Sequence, residues 1–167
     1  MNVAKNNRGK NKIVMCDDIF GNLYRIPARK LQFRPSVYGI IVERGKVLLS
    51  KIFGGYDLPG GAIELHETIE QALIREIWEE TGFKVKPQQL LSSNSNFFVL
   101  VTTKQPVNSI QLYYRCKKLS GRLSTKNFDH YEKKYAGMAE WVDINKMGGL
   151  KYYSSINIPA LIKQSVQ

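Results

Sequence analysis

A dense run of acidic residues between Gly60 and Phe83 constrains this chain more than any other feature. The run holds six acids and one base and therefore carries a charge of −5, whereas the whole chain carries +11. The other residues thus carry +16. A negative cradle within a positive surface suits a cation and an anionic substrate. The six acids are Glu64, Glu67, Glu70, Glu76, Glu79 and Glu80.

The same run predicts an amphipathic helix. Thr68 and Gln71 match a capping box, in which the hydroxyl and the amide side chain satisfy backbone donors at the helix start. Gly82 matches a helix stop, where a positive φ is favoured. The apolar residues recur at the i, i+3, i+4 spacing of one buried helix face, and they are Ile69, Ala72, Leu73 and Ile77.

Three of the glutamates share one face of this helix. At about 100° per residue, Glu80 lies about 40° to one side of Glu76, and Glu79 lies about 60° to the other. Like charges at this spacing destabilise a helix slightly, and Arg75 is the one base within the helix that could offset them. Such a cluster is either a solvated acidic face or a set of oxygen ligands for Mg²⁺ or Mn²⁺.

The complete spacing favours the second interpretation. Residues Gly61 to Phe83 match the pattern G-x5-E-x7-R-E-U-x-E-E-x-G-U, where U is a bulky aliphatic residue, and Phe83 departs from it only by being aromatic. The chain therefore resembles the Nudix hydrolase family, whose characteristic box has this spacing. The other matching positions are Glu67, Arg75, Glu76, Ile77, Glu79, Glu80 and Gly82.

The resemblance implies an α/β fold, namely a Nudix-type α/β/α sandwich with a mixed β-sheet over about residues 35–164. A small N-terminal β-hairpin is predicted at 13–27, because two apolar runs flank Gly21-Asn22. We expect a basic, disordered tail at 1–12 and a single domain at 13–167. Strands are expected at 36–43, 46–52, 83–85, 96–103, 109–117 and 139–142. The segment 119–136 is expected to be a loop, and helices should follow Asp143 and either Ser155 or Asn157.

The strand at 109–117 alternates between apolar and polar residues. We expect one set of side chains to point inward. That set is Ile110, Leu112, Tyr114 and Cys116.

The resemblance also implies an enzyme, a Nudix-type pyrophosphohydrolase. Its members hydrolyse a diphosphate linkage in a nucleoside diphosphate derivative, such as a nucleotide or nucleotide sugar, by attack of water on phosphorus. By position in the box, Glu76, Glu79 and Glu80 are the expected ligands of Mg²⁺ or Mn²⁺. The backbone carbonyl of Gly60, in the P-G-G turn, is expected to join them.

The remaining site residues follow from the same resemblance. Glu79 or Glu76 is the expected general base, since family members differ on this point. Arg75 is expected to orient the glutamates through bidentate hydrogen bonds, and Glu67 either binds Arg75 or holds a metal through water. Some family members carry the base or another ligand in a later loop, where Glu132 is the candidate.

Asp129 and Glu140 are weaker alternatives to Glu132 as a later carboxylate. Glu140 immediately precedes Trp141 in an expected strand, which favours a structural role for it.

The sequence leaves the substrate open. The leading interpretation is hydrolysis of an anionic small molecule that contains a diphosphate. The alternatives are an RNA 5′-end pyrophosphohydrolase, which the basic surface favours, and a non-catalytic nucleotide- or RNA-binding module on the same fold. The intact set of glutamates argues against the last alternative. The N-terminal hairpin is a candidate interface for a homodimer.

The composition predicts a cytoplasmic protein without a membrane partner. No apolar run approaches the ~18 to 20 residues of a membrane span, and the N-terminus has no apolar region typical of a secretory signal. Cys16 and Cys116 are far apart in the chain. We expect both to be reduced and structural.

Overall fold

A computed structural model describes residues 12–128, 130 and 132–166, except for the side chain of Glu132. The described residues cluster into two compact units, one of residues 12–34 and 95–109 and one of residues 35–94 and 110–166. None of the described helices is long and apolar enough to cross a bilayer. The predicted tail lies outside the described residues except for Lys12. The single domain and the cytoplasmic location stay predictions.

The smaller unit contains the predicted N-terminal hairpin. Strand β1 (Ile13–Asp17) pairs antiparallel with β2 (Leu23–Pro27). A 3-10 helix (Ala28–Lys30) and the short strand β3 (Gln32–Phe33) follow. Strand β3 pairs in parallel with residues 107–108, and β1 pairs in parallel with residue 98.

Asp18 organises the turn between β1 and β2. Its carboxylate accepts hydrogen bonds from the backbone N–H groups of Phe20 and Asn22, from the Asn22 side chain and from the Tyr24 hydroxyl. These bonds, led by that from the Asn22 side chain, lower the pKa of Asp18 to about 2. The turn is therefore held by a carboxylate that stays ionised at neutral pH.

The larger unit is built on a mixed sheet. Its strands, in chain order, are β4 (Ser36–Glu43), β5 (Lys46–Ile52), β6 (Gly55–Asp57), β7 (Gly60–Ala62), β8 (Phe83–Val99), β9 (Pro106–Gly121) and β10 (Ala136–Asp143). The neighbours run in the order β10-β5-β4-β9-β8, with β6 paired to β5 and β7 paired to β4. Strands β4 and β9 are parallel, whereas β5 is antiparallel to both β4 and β10. Strands β8 and β9 also extend into the smaller unit.

The acidic run forms the predicted helix, α1 (Ile69–Thr81). The capping box is confirmed, because the Thr68 hydroxyl accepts from the Gln71 N–H while the Gln71 side chain accepts from the Thr68 N–H. Gly82 ends the helix with a φ of 78°, also as predicted. Ile69 was expected to be buried and is 38% exposed, because it starts the first turn of the helix, beyond the residues that pack on the sheet.

The remaining helices are short. Helix α2 (Glu132–Tyr135) precedes β10 in the chain, and a 3-10 helix (Ile144–Gly149) follows it. Asp143 caps the 3-10 helix by accepting from the Asn145 N–H, and Asn157 caps helix α3 (Ile158–Ser165) by accepting from the Ala160 N–H. The predicted caps at Asp143 and Asn157 are therefore confirmed.

Helices cover both faces of the sheet of the larger unit, as the α/β/α prediction requires. Neighbouring residues of one strand pack into opposite clusters, so that Ile41 and Leu48 join the α1 side while Ile40 and Leu49 join the α3 side. Helix α1 contributes Ala72, Leu73 and Ile77 to the first cluster, and α3 contributes Ile158, Leu161 and Ile162 to the second.

Two strand predictions are wrong in their limits. Residues 83–85 and 96–103 do not form separate strands, because β8 is continuous from Phe83 to Val99. The intervening residues are mostly polar, but a strand is paired through backbone groups whatever its side chains. The expected loop at 119–136 is shorter, since β9 runs to Gly121 and α2 occupies 132–135.

The inward set predicted for β9 is also partly wrong. Ile110 is 41% exposed, whereas Gln111 and Tyr113 are buried. Leu112, Tyr114 and Cys116 do pack on the α1 side, but Tyr113 packs on the α3 side. Alternation separates inside from outside only where one face of a sheet meets solvent, and here helices cover both.

We predict that Gly82→Ala destabilises the protein more than Gly45→Ala does. Both glycines have a similar positive φ, 78° and 73°, so alanine at either position costs about 1 to 2 kcal/mol of backbone strain. A Cβ at Gly82 would also lie 2.4 Å from the carbonyl oxygen of Arg122, while nothing lies within 4 Å at Gly45. We expect an additional loss of at least about 1 kcal/mol for Gly82→Ala, measured by urea unfolding. Equal losses would contradict the close packing at this helix end.

Candidate active site

The P-G-G turn brings backbone directly against the acidic face of α1. Gly60 pairs with Tyr38 on β4 and has a φ of 147°. A Cβ at Gly60 would lie 2.2 Å from the carbonyl oxygen of Val37, and a Cβ at Gly61 would lie 2.6 Å from the carboxylate of Glu76. A side chain at Gly60 would therefore displace the backbone of β4, and a side chain at Gly61 would move the carboxylate of Glu76.

Arg75 connects three glutamates of the box. Its Nε and Nη2 donate to the two carboxylate oxygens of Glu67 at 2.6 and 2.8 Å. Its Nη1 lies 2.9 Å from Oε1 of Glu76 and donates to Oε2 of Glu79 at 3.1 Å. Its Nη2 also donates to the carbonyl of Ala62 at 3.1 Å. One guanidinium thus ties α1 to the loop before it and to β7.

These contacts shift the pKa values of both partners. The hydrogen bonds from Arg75 lower the pKa of Glu67 from 4.5 to about 2, against the opposing effect of burial. The same bonds to Glu67, with further help from Glu76 and Glu79, raise the pKa of Arg75 above its usual range. The ion pair is therefore fully charged at neutral pH.

Glu80 has a different set of partners. Its Oε2 accepts from the hydroxyl of Ser50 at 2.6 Å and from the backbone N–H of Gly60 at 3.2 Å. Glu80 is thereby tied to β5 and to the P-G-G turn. Sequence reasoning missed Ser50, which lies 30 positions from Glu80 in the chain. Nothing in its residue type or its neighbours distinguishes it from other serines on strands.

The chemistry of these side chains fits a divalent cation. Carboxylates and a backbone carbonyl are the hard oxygen donors that Mg²⁺ and Mn²⁺ prefer. Within the described part of the chain, however, no three His, Cys, Asp or Glu side chains are placed together to hold an ion. Glu67, Glu76 and Glu79 meet around Arg75, while Glu80 lies on Ser50 and Gly60. The ligand set Glu76, Glu79, Glu80 and Gly60 stays a prediction.

The later carboxylates differ in what the structure says of them. The backbone of Glu132 begins helix α2, but its side chain is not among the described parts of the structure. Asp129 lies outside the described residues. Glu140 accepts a hydrogen bond from Tyr56 and forms an ion pair with Lys51. These contacts join β10 to β5 and β6, so Glu140 has the structural role that was expected.

Asp57 is a titratable group that sequence reasoning passed over. It ends β6, three residues before Gly60, and its Oδ1 accepts from the Leu58 N–H at 2.7 Å. Burial raises the pKa of its carboxyl to about 8, and that hydrogen bond opposes the shift only partly. An acid just before Leu-Pro-Gly-Gly is visible in the sequence, but its partly buried position is not.

We predict that Glu67→Gln lowers the stability of the fold in a pH-dependent way. The pKa of Glu67 is depressed on folding, so its contribution is complete above its unfolded pKa and is lost as the pH falls toward 2. We expect Glu67→Gln to reduce the free energy of unfolding by about 1 to 3 kcal/mol at pH 7. The gap to the unchanged protein should narrow between about pH 5 and pH 2.

Glu64→Gln is the matched control, because Glu64 is exposed and forms its one described ion pair with the exposed His66 at 3.5 Å. We expect it to change stability by less than about 0.5 kcal/mol. Chemical denaturation at several pH values measures both variants. A Glu67→Gln loss that stays constant down to pH 2 would contradict the ion-pair account.

Sequence comparisons find relatives that match part of this chain. The chain is 38% identical to a MutT-like protein of Streptomyces ambofaciens over 89 residues, which is 52% of this chain and 53% of the relative. It is 42% identical to an ADP-ribose pyrophosphatase of Methanocaldococcus jannaschii over 74 residues, or 40% and 44% of the two chains. It is 38% identical to an RNA pyrophosphohydrolase of Serratia proteamaculans over 68 residues, or 39% of each chain.

These matches therefore span only 39% to 53% of the length of the curated relatives. Among solved structures, an ADP-ribose pyrophosphatase from Streptococcus suis superposes with a TM-score of 0.59 at 15% identity, covering 80% of this chain and 89% of that one. At this identity the likeness concerns the fold, and it confirms the predicted Nudix-type α/β architecture. The family model described as the NUDIX domain matches residues 32–161, which is most of the chain. With the intact box at residues 61–83 and this architecture, the chain belongs to the Nudix family.

Proposed function

We propose that this chain hydrolyses the diphosphate linkage of a nucleoside diphosphate derivative, using Mg²⁺ or Mn²⁺ held by Glu76, Glu79, Glu80 and the carbonyl of Gly60. The acidic face of α1, packed against Gly61 and tied together by Arg75, is the observation that carries the proposal. The ADP-ribose pyrophosphatase and RNA pyrophosphohydrolase relatives support the reaction class, since both names describe the cleavage of a diphosphate.

The charge of the substrate explains why so many carboxylates are needed. A diphosphate is negative and repels both hydroxide and the glutamates themselves. A bound divalent ion would neutralise phosphate charge and lower the pKa of a coordinated water. Arg75 contributes by holding Glu76 and Glu79 in place, because its hydrogen bonds offset the repulsion between neighbouring carboxylates. Glu67 in turn holds Arg75 through two hydrogen bonds.

Glu79 is the residue we assign as general base. Its side chain is 33% exposed, compared with 13% for Glu76 and 8% for Glu67. A base that takes a proton from an attacking water must be reachable by that water, and Glu79 is the most accessible carboxylate bound to Arg75. Glu76 is the second choice for this role. Glu132 is assigned a supporting role as a further base or ligand from α2.

An RNA 5′ end is the second candidate substrate. The residues outside the acidic run carry +16, which suits a polyanion, and the RNA pyrophosphohydrolase relative matches the chain over 68 residues. We keep the small diphosphate substrate as the first candidate. The glutamates of the acidic helix would serve the hydrolysis of either substrate. They therefore do not discriminate between a small diphosphate and an RNA 5′ end.

We predict that Glu79→Gln lowers turnover about 10²- to 10⁴-fold, because glutamine cannot accept the proton of the attacking water. The measurement is the release of phosphate or nucleotide in the presence of Mg²⁺ or Mn²⁺. The substrates to be tested are nucleoside triphosphates, nucleotide sugars, ADP-ribose, dinucleoside polyphosphates and triphosphorylated RNA. Glu70→Gln is the control, because Glu70 lies on the exposed first turn of α1, and it should keep full activity. Absence of metal-dependent turnover on every substrate would leave only the non-catalytic binding module.

We also predict that Ser50→Ala raises the Mg²⁺ concentration needed for half-maximal turnover by roughly 10- to 100-fold. The hydroxyl of Ser50 orients Glu80 through a 2.6 Å hydrogen bond, so its loss should weaken metal binding more than the rate at saturating metal. Ser120→Ala, at an exposed position on β9, should change neither quantity. A lower rate with an unchanged Mg²⁺ requirement would contradict the role of Ser50.

A further inference from the structure

The smaller unit has a groove whose lining contains none of the residues assigned to hydrolysis. The groove has a volume of about 460 Å³. Its lining combines the rings of Phe33 and Phe97 with Lys12, Asn108 and four aliphatic side chains. All of these residues belong to the smaller unit. The volume lies within the range of about 300 to 1,000 Å³ that is typical of small-ligand sites.

The two aromatic rings of the groove meet solvent. Phe33 is 64% exposed and Phe97 is 37% exposed. Neither has a ring contact with another residue in the described part of the chain. Several exposed aromatic and aliphatic side chains in one small unit indicate a surface that meets a partner. Flat exposed rings provide a stacking surface for another flat ring.

The charge of the smaller unit favours an anionic partner. Its described residues carry six bases and two acids, a net charge of +4, and one of the bases, Lys12, lines the groove. The acids are Asp17 and Asp18, and the Asp18 carboxylate is occupied by hydrogen bonds within the hairpin turn. A ligand that fits this groove therefore combines flat rings with negative charge.

We propose that the smaller unit binds single-stranded nucleic acid, with bases stacked on Phe33 and Phe97 and a phosphate paired with Lys12. Stacking on exposed aromatic side chains beside basic residues is how proteins bind single strands without strong sequence preference. The side-chain amide of Asn108 can both donate to and accept from the edge of a base. A duplex fits less well, because its bases are already stacked on one another and their faces are not available to the rings.

This binding site stands independently of the proposed hydrolysis. The groove contains no residue of helix α1, and the stacking of a base requires neither a metal ion nor a cleaved phosphate. The two proposals can therefore fail separately, since binding is measured on an RNA that carries no 5′ phosphate and with no divalent ion added.

The test measures binding of the full chain to a fluorescently labelled single-stranded RNA of twelve nucleotides. Fluorescence anisotropy gives the affinity at several salt concentrations. We expect Phe33→Ala and Phe97→Ala each to weaken binding about 5- to 100-fold. Phe20→Ala is the matched control, because Phe20 is 54% exposed in the same unit but does not line the groove, and it should leave affinity unchanged. Lys12→Gln should reduce the slope of log affinity against log salt by about 0.7.

Phe33→Leu separates stacking from folding, because leucine keeps apolar bulk but has no ring face. If Phe33→Ala unfolds the unit, weaker binding by a folded Phe33→Leu variant supports the proposal, and unchanged binding overturns it. The proposal is also overturned if the RNA does not bind at 50 mM salt, or if a duplex of the same length binds equally well. Sedimentation measures whether the chain forms a dimer. A dimer that Phe33→Ala dissociates would show that a second copy of the chain, and not nucleic acid, occupies the groove, and would overturn the proposal.

Discussion

The guanidinium of Arg75 is the interaction on which the site depends. Glu67, Glu76 and Glu79 all lie within hydrogen-bonding distance of this one group, and without it their charges would repel one another at short range. The contacts with Glu67 and with the carbonyl of Ala62 also attach the helix to the chain segment that precedes it. A single side chain thus offsets repulsion within the helix and positions the helix against β7.

The second constraint is steric. Gly60 and Gly61 carry no side chains, so the P-G-G turn can approach β4 on one side and the carboxylate of Glu76 on the other. Glu80 completes the arrangement by accepting from Ser50 and from the Gly60 N–H. The two glycines and the glutamates therefore depend on one another. Because the glycines have no side chains, the backbone of the turn and the carboxylates can lie close together.

The sequence predicted helix α1 and its two ends well, because the interactions that form them are local or repeat at helical spacing. The caps at Thr68 and Gly82 follow from rules that act over a few residues, whereas the use of Glu76, Glu79 and Glu80 together as metal ligands stays a prediction. The hydrogen bond from Ser50 to Glu80 and the partly buried position of Asp57 could not be predicted, because they depend on segments brought together only in the folded chain. The inward face of β9 was misassigned for a related reason, since helices cover both sides of that sheet.

Metal binding by the acidic face of α1 is the central claim, and electron paramagnetic resonance of Mn²⁺ tests it most directly. Titration of the unchanged protein should show bound Mn²⁺ that Mg²⁺ displaces, because both ions accept the same oxygen ligands. Variants Glu76→Gln and Glu80→Gln should each weaken that binding at least about 10-fold, whereas Glu70→Gln should not. Mn²⁺ affinity that is the same in all four proteins would contradict the account.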